Sequence, residues 1–341
     1  MSPDLFISPD LHAAKVDFDT RLISFVPMTR ANYRASSFLD HRTQAASRES
    51  LEVPISDLLA AGAELPPPQG SVHYIFHAAF CCSTLLARYL DLIPPCFVLK
   101  EPLLLTETAL VRPHAIEAHN DGTLPPPEWD RFSNMSVRLL NRRYAPEDVV
   151  VSKANDLCNS LGEILLARDP ASKAVFLTIN LKEFLLLVLK APDRRQWLRA
   201  RLRRALKDAA IIPELHGFDP SAMTDAEGGA YLWALNEALR ERMCSPAPGR
   251  VLTLPGESVA DMPAEAVRAA AEHFGLPIAN GLPKSIFSDA TAARHAKDTS
   301  RTYNARSRRK ELKALEKQIG READEGVKWV VDNRVLFGGR L

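Results

Sequence analysis

Two adjacent hydroxyl side chains stand where a small-residue loop leads into an apolar helix. Ser83 and Thr84 follow the segment His77 to Cys82, and the leucines after them are spaced for one helical face. The first N–H groups of a helix have no partner within the helix, and with the helix dipole they favour a bound anion. The pattern therefore predicts a phosphate-binding site built from backbone N–H groups and two hydroxyls.

The elements on either side of this loop would hold it in position. Residues 72 to 76 form a β-branched and aromatic run, which is typical of a buried strand, whereas Leu85 and Leu90 predict a helix. Neither glycine nor lysine occurs between Ser71 and Leu99. The loop therefore has the layout of a phosphate-binding loop without the Gly-Lys-Ser/Thr sequence of a Walker A motif.

Charged residues follow two later strand patterns. Residues 97 to 99 predict a strand that ends at Lys100 and Glu101, before a proline, and residues 148 to 152 predict another that ends at Lys153. In an open parallel sheet, ligands bind outside the carboxyl ends of the strands. We therefore expect these three charged residues to lie beside the anion site.

The loop resembles the 5′-phosphosulfate loop of bacterial sulfotransferases, which reads roughly Pro-Arg-Ser-Gly-Thr-Thr-Leu-Leu. Residues 79 to 86 match its Ser/Thr-Thr-Leu-Leu end, whereas Phe80 stands at the family's basic position and Cys82 at its glycine. Further similarities are the Glu-Pro element, the lysine after the next strand, and the strand, proline-started helix and Phe-Gly-Leu-Pro of residues 250 to 277. The resemblance implies a three-layer P-loop-type α/β sandwich, with a central parallel sheet and helices on both faces.

The same resemblance implies transfer of a sulfuryl group from 3′-phosphoadenosine-5′-phosphosulfate to a hydroxyl or amine of a small-molecule or peptide acceptor, without a metal. Glu101 would be the base, because it lies across a strand from the donor, and His77 would stabilise the transferring group. Lys153 and Lys100 would offset the developing charge. The loop residues expected to hold the donor are Cys81, Cys82, Ser83, Thr84 and Leu85.

The sulfotransferase residues that hold the 3′-phosphate are absent at the expected place. After the predicted strand of residues 174 to 178, the family has an Arg-x-Pro element and then a serine, but this chain has Asn180 followed by a leucine and a lysine. Arginines elsewhere could replace this contact. The candidates are arginines of residues 194–204, among them Arg194, in the basic helix that follows, and of residues 294–309, among them Arg301, in the basic segment near the C-terminus.

Two other classes of function remain open from the sequence. One is a P-loop kinase with a degenerate phosphate loop, which would bind a nucleoside triphosphate with magnesium. The other is a non-catalytic nucleotide-binding protein of the same fold, which the residues at Phe80 and Asn180 favour.

Composition limits the remaining possibilities. The 341 residues have a formal net charge of +1 and are 46% hydrophobic, as in an ordinary soluble globular protein, so we expect neither a nucleic-acid nor a membrane partner. Five cysteines without CxxC spacing predict no disulfide framework and favour a reducing cytoplasm. Residues 1–70 end in a proline-rich spacer and are expected to form a small adjunct packed on a main domain of residues 71–341.

Overall fold

The computed structural model describes residues 4–47, 49–113, 124–279, 281–283, 285–288 and 305–333. Eight β-strands lie in these residues: β1 (Leu11–Asp17), β2 (Leu22–Pro27), β3 (Leu51–Pro54), β4 (Val72–His77), β5 (Cys96–Lys100), β6 (Val149–Lys153), β7 (Ala174–Thr178) and β8 (Val251–Pro255). The first three form an antiparallel sheet. The other five form a parallel sheet in the order β5-β6-β4-β7-β8.

Strand β4 lies at the centre of the parallel sheet. It pairs with β6 on one side, where Ile75 is opposite Lys153, and with β7 on the other, where Phe76 is opposite Phe176. Because parallel strands point the same way, all five strands end at one edge of the sheet. The loop after β4 is therefore in the middle of this carboxyl edge, between the ends of β6 and β7.

Helices fill the connections and cover the sheet. The α-helices of the described residues are α1 (Asp4–Ile7), α2 (Arg30–Ala35), α3 (Ile55–Glu64), α4 (Ser83–Leu90), α5 (Leu103–Leu110), α6 (Pro126–Leu140), α7 (Gly162–Arg168), α8 (Leu181–Leu189), α9 (Pro192–Ala209), α10 (Asp225–Cys244), α11 (Gly256–Asp261), α12 (Pro263–Phe274), α13 (Ser285–Ser288) and α14 (Ala305–Asp332). Two short 3₁₀-helices span Asp156–Leu161 and Pro213–Leu215. Every helix in this part of the chain is too short or too polar to cross a bilayer.

Buried side chains alternate between the two faces of the parallel sheet. Ile75 and Val151 belong to one buried cluster, which includes residues of α4, α8, α10, α12 and α14. Tyr74 and Phe76 belong to another, which includes residues of α3, α5, α6 and α7. Neighbouring strand residues fall in different clusters because successive side chains of a strand point in opposite directions. Each cluster includes residues of helices, so helices cover both faces of the sheet. The prediction of a three-layer α/β sandwich with a central parallel sheet is confirmed.

The N-terminal segment packs on the second of these faces. Phe25 of β2 is fully buried in the cluster on that side. Arg30 donates hydrogen bonds to Asp148 at 2.9 Å and to the carbonyl oxygen of Cys96 at 2.9 Å, near the amino ends of β6 and β5. The segment therefore shares a core with the sheet, and its separation as an adjunct of residues 1–70 stays a prediction.

Helix α14 packs against α8 and α10. A Cβ atom at Gly326 would lie 2.7 Å from the carbonyl oxygen of Ala226, so the α14 and α10 backbones approach closely there. Arg195 of α9 makes two hydrogen bonds to Glu322 of α14, at 2.6 and 2.7 Å. These contacts fix the orientation of α14 and bring its first turn beside the loop that follows β4.

Candidate active site

The loop between β4 and α4 contains two residues in the left-handed backbone region. Phe80 has a φ of 68° and Cys82 a φ of 65°. Residues other than glycine rarely adopt this region, because Cβ approaches the following carbonyl oxygen at a cost of about 1–2 kcal/mol. Cys82, the N-cap residue of α4, therefore has the conformation that suits the glycine for which it stands in the resemblance.

The first turn of α4 differs in one detail from the expected anion site. The N–H groups of Ser83 and Thr84 lie at the helix N-terminus, where the helix has no carbonyl to accept them. The N–H of Leu85, by contrast, is donated to the carbonyl oxygen of Cys82 at 3.0 Å. Leu85 therefore contributes its position in the turn and its side chain, rather than a free backbone donor.

A cleft of about 350 Å³ opens in front of this turn, a size typical of small-molecule sites. Among the sequence-predicted site residues, those that line it are His77, Cys81, Cys82, Ser83, Thr84, Leu85, Glu101, Lys153 and Arg194. Its described lining has five cationic and three acidic residues, an excess that favours an anionic ligand. Lys100 is not among the lining residues, and Arg301 lies outside the described residues.

A buried ion pair faces the loop from the ends of β5 and β6. The Lys153 ammonium contacts one carboxylate oxygen of Glu101, and the other oxygen accepts a hydrogen bond from Asn155 at 2.8 Å. The Lys153 side chain is 1% exposed and that of Glu101 is 12% exposed, so the carboxylate is the more accessible partner in the cleft. Glu101 also has a positive φ of 52°, and left-handed residues that persist in this way cluster at functional sites.

Lys100 occupies a different environment from Lys153, although the two are paired in register across β5 and β6. Its ammonium lies 3.3 Å from a carboxylate oxygen of Asp91, just after α4, and its side chain is 1% exposed. Asp91 directly follows the last turn of α4, whereas the cleft lies at the first turn of that helix, so this ion pair draws the Lys100 ammonium away from the loop. The structure therefore does not bring Lys100 into the cleft with the predicted base.

The imidazole of His77 lies between two backbone carbonyl groups. Nδ1 lies 2.9 Å from the carbonyl oxygen of Ala78, and Nε2 lies 3.0 Å from that of Ala154. Burial, reinforced by the charge of Lys153, lowers the pKa of His77 to about 4. A neutral imidazole has a single N–H, and here that N–H donates to one of the two carbonyl oxygens, so none is left for a transferring group, which differs from the expected role of His77. The ring instead lies between the donor loop and the chain after β6.

Phe80 brings a cation to the loop although it is itself apolar. The guanidinium of Arg194 lies over its ring, 4.9 Å from the centroid, and the ring of Trp197 meets it edge-on at 5.2 Å. A guanidinium over an aromatic face is attracted by the ring quadrupole. Phe80, at the position where the resemblance expects a basic residue, thus holds the guanidinium of an arginine of α9 against its ring.

Asn180 has a structural task at the start of α8. Its side chain accepts hydrogen bonds from the N–H groups of Lys182 at 3.0 Å and Glu183 at 3.4 Å, which caps the helix. The residue that stands in place of the family's arginine element is therefore engaged with its own helix.

Gly256 was not identified from the sequence, and Arg308 was expected only as one of several arginines in the basic run 294–309. A Cβ atom at Gly256, directly after β8, would lie 2.3 Å from the carbonyl oxygen of Cys81, so only glycine permits this approach. Arg308 of α14 donates to the carbonyl oxygen of Phe80 at 3.2 Å and contacts the sulfur of Cys82 at 3.7 Å. The only sequence signals were a glycine after a strand and a basic run, neither of which specifies a contact with the loop.

Among the residues that the structure describes, no group of three or more histidine, cysteine, aspartate and glutamate side chains is arranged to hold a metal ion.

No family model matches the sequence, and no curated protein matches it. The solved structures that match include three sulfotransferases that align with most of the chain. A sulfotransferase from Alicyclobacillus acidocaldarius is 17% identical over 76% of this chain and 96% of its own, with a TM-score of 0.38. The sulfotransferase domain from the curacin biosynthetic pathway is 13% identical over 75% and 99%, with a TM-score of 0.37. Sulfotransferase STF9 from Mycobacterium avium is 12% identical over 79% and 81%, with a TM-score of 0.40. Similarity at this level indicates no function, so function has to be inferred from the site itself.

Proposed function

We propose that the protein transfers a sulfuryl group from 3′-phosphoadenosine-5′-phosphosulfate to a hydroxyl or amine acceptor in this cleft. The observation that carries the proposal is the loop of residues 78–84, which faces the Glu101–Lys153 pair across a single cleft. Sulfuryl transfer spreads negative charge over the equatorial oxygens, much as phosphoryl transfer does. Fixed donors and cations around the transferring group therefore supply most of the catalysis.

In this proposal the loop binds the donor through its phosphosulfate. The N–H groups and hydroxyls of Ser83 and Thr84 donate to the oxygens, as the start of a helix favours. Arg194, which Phe80 holds at the rim, provides a cation for the nucleotide phosphates. The Phe80 and Trp197 rings offer an apolar wall beside it, and both line the cleft.

Glu101 takes the proton of the acceptor in the proposed reaction. Its two oxygens accept from Lys153 and Asn155, but a carboxylate oxygen has a second lone pair, so each remains able to accept again. As the acceptor oxygen or nitrogen bonds to sulfur, the bond from sulfur to the 5′-phosphate oxygen breaks and the acceptor proton moves to Glu101. Lys153 then loses its counter-charge, and its ammonium becomes available to the oxygens of the transferring group.

The experiment that tests this function compares nucleotides by calorimetry and then measures turnover. We expect 3′-phosphoadenosine-5′-phosphate to bind more tightly than AMP, because arginines near the loop contact the extra phosphate, and this preference should fall as salt rises. Release of 3′-phosphoadenosine-5′-phosphate from the donor should accelerate with an acceptor present, using panels of phenols, alcohols and amines. Equal affinity for the two nucleotides would rule out the assignment.

A non-catalytic nucleotide-binding protein of the same fold is the second candidate. The engagement of Asn180 as a helix cap favours it, because that position then contributes nothing to a 3′-phosphate. Tight nucleotide binding without turnover on every acceptor would support this reading. Stabilisation by ATP with magnesium, but not by 3′-phosphoadenosine-5′-phosphate, would instead support a P-loop kinase.

A further inference from the structure

We propose that Arg308 of α14 adds a second positive charge to the donor loop, beside that of Arg194 on Phe80, so that anion binding depends on the docking of this distant helix. The inference rests on the proposed function in that it assumes an anion at the loop. Arg308 is a positioning residue, since its guanidinium contacts the loop and is not among the residues that line the cleft.

The contacts of Arg308 span the strained part of the loop. One guanidinium nitrogen donates to the carbonyl oxygen of Phe80 at 3.2 Å and lies 3.7 Å from the sulfur of Cys82. These are the two left-handed residues of the loop, and the arginine thus joins them from behind. A donor fixed on the Phe80 carbonyl favours this turn over alternatives, which keeps the N–H groups of the next helix aimed at the cleft.

Arg308 forms an ion pair with α8 in which the two partners differ in exposure. The other guanidinium nitrogen contacts Glu183 of α8 at 2.6 Å, but the arginine side chain is 5% exposed whereas that of Glu183 is 31% exposed. Water therefore screens the carboxylate more than the guanidinium. An anion held at the start of α4 would feel a net attraction through the loop.

The loop itself responds to this charge. Burial raises the pKa of the Cys81 thiol to about 12, and the charges of Lys153 and Arg308 both oppose that rise. The two cations therefore act on the loop from opposite sides, one from the strand ends and the other from α14. An anion bound at the loop lies between them.

The docking of α14 determines whether Arg308 reaches the loop. The helix is anchored more than three turns away by Glu322, which Arg195 holds, and by the close approach of Gly326 to α10. Lys190 of α8 adds an ion pair with Glu311 at 2.6 Å, one turn beyond Arg308. Anion binding at the loop therefore depends on the position of α14, a helix far along the chain from the loop.

The test measures 3′-phosphoadenosine-5′-phosphate and pyrophosphate binding in four variants of the full chain by calorimetry. Arg308→Ala should weaken both by about 10- to 30-fold, as expected for a charge several ångströms away in a partly buried setting. Arg308→Lys, which keeps the charge, should recover most of this loss. The matched control is Arg309→Ala, whose side chain is 66% exposed and 4.0 Å from Asp261, and it should change affinity by less than about twofold.

Glu183→Gln distinguishes the charge from a purely structural role. Replacing the carboxylate removes one negative charge beside the guanidinium, so both anions should bind about two- to fivefold more tightly although an ion pair has been lost. Weaker binding in both Glu183→Gln and Arg308→Ala would mean that Arg308 only supports the fold. Equal effects of Arg308→Ala and Arg309→Ala would also overturn the inference.

Failure of the proposed function would give a different result. If the wild-type protein binds pyrophosphate but not 3′-phosphoadenosine-5′-phosphate, the sulfotransferase assignment fails and the pyrophosphate series still decides the role of Arg308. If neither anion binds, both proposals are wrong. Melting temperatures measured alongside show whether Arg308→Ala is folded. In either case Glu183→Gln, which replaces a partly exposed side chain, shows whether removing a negative charge beside Arg308 strengthens or weakens anion binding.

Discussion

The two walls of the cleft hold their charged groups in different ways. The strand-end wall consists of Glu101 and Lys153, whose backbones are joined by an N–H to carbonyl hydrogen bond of 2.7 Å. The loop wall consists of residues 78–84, and its cations, Arg194 and Arg308, come from α9 and α14. One wall is thus built between neighbouring strands, whereas the other is completed by helices far along the chain.

Because of this difference, we expect the two walls of the cleft to have different functions. Groups fixed by a strand ladder keep their separation, which suits proton transfer, where geometry within hydrogen-bond reach is essential. A loop held by cations from two helices suits anion binding, where the sum of several charges counts. We therefore expect changes in the strand-end wall to lower turnover, and changes in the loop wall to lower affinity.

The largest effect is expected for Glu101→Gln. The amide keeps the shape of the side chain but cannot take the acceptor proton, so turnover should fall by about 10²–10⁴-fold. Binding of 3′-phosphoadenosine-5′-phosphate, which depends on the other wall, should be nearly intact by calorimetry. Full turnover in this variant would show that another residue is the base.

The double change Ser83→Ala with Thr84→Ala should affect binding instead. Each lost hydrogen bond to a charged group costs about 1.5–3 kcal/mol, so affinity for 3′-phosphoadenosine-5′-phosphate should fall by at least about a hundredfold. The melting temperature should change little. Unchanged binding would mean that the nucleotide occupies another place, or that none binds.

His77 joins the two walls and gives a prediction about pH. Its pKa is lowered to about 4 from the ordinary 6.5, so between these values the unfolded chain binds a proton that the folded protein does not. The contribution of His77 to the free energy of unfolding should therefore fall by about 2 kcal/mol between pH 7 and 5, in addition to the losses from His12 and His73, whose pKa values burial also lowers.

Urea unfolding at pH 7 and pH 5 measures this contribution. His77→Asn should lose less stability over the interval than the wild type, because its side chain does not titrate. His216→Asn, at an exposed ring, serves as the control and should leave the difference unchanged. A full wild-type difference in His77→Asn would show that the proton is taken up elsewhere.

The smallest effect is expected where Gly256 touches the loop wall. In Gly256→Ala the new methyl group would meet the carbonyl oxygen of Cys81 at 2.3 Å, so the loop must shift. We expect the free energy of unfolding to fall by about 1–3 kcal/mol and anion binding to weaken by about tenfold. Gly217→Ala is the control, since no atom lies within 4 Å of its Cβ position. Equal anion affinities in Gly256→Ala and Gly217→Ala would show that the contact between Gly256 of α11 and Cys81 does not affect anion binding by the loop.

The strand-end wall is the part of the site that sequence patterns indicate best. Short apolar runs that end in charged residues predicted Glu101 and Lys153 at one edge, and the parallel sheet brings them together. The same reasoning failed for Lys100, because the end of a strand pattern does not show which partner the side chain will find. Its ammonium is paired with Asp91, which follows the last turn of α4.

The loop wall depends on contacts that no local pattern contains. The sequence indicated a loop and a helix that begins at Ser83. It contained arginines that could bind an anion, but it did not indicate which of them would contact the loop. The contact of Arg308 with the loop, and the space that Gly256 leaves for it, arise only when α14 and α11 pack against the finished sheet. Burial likewise decides the state of His77, since a histidine at a loop start gives no sign that two carbonyl groups will hold its ring.

The distance in sequence between Phe80 and Arg308 affects the order in which the site comes into being during synthesis. The two residues in contact are 228 positions apart, so the loop leaves the ribosome long before the guanidinium that meets its carbonyl oxygen. A nascent chain can already pair β4 with β6 and β7 while that contact is still unmade. The strand-end wall is thus assembled early in translation, and the loop wall is finished only after α14 has emerged.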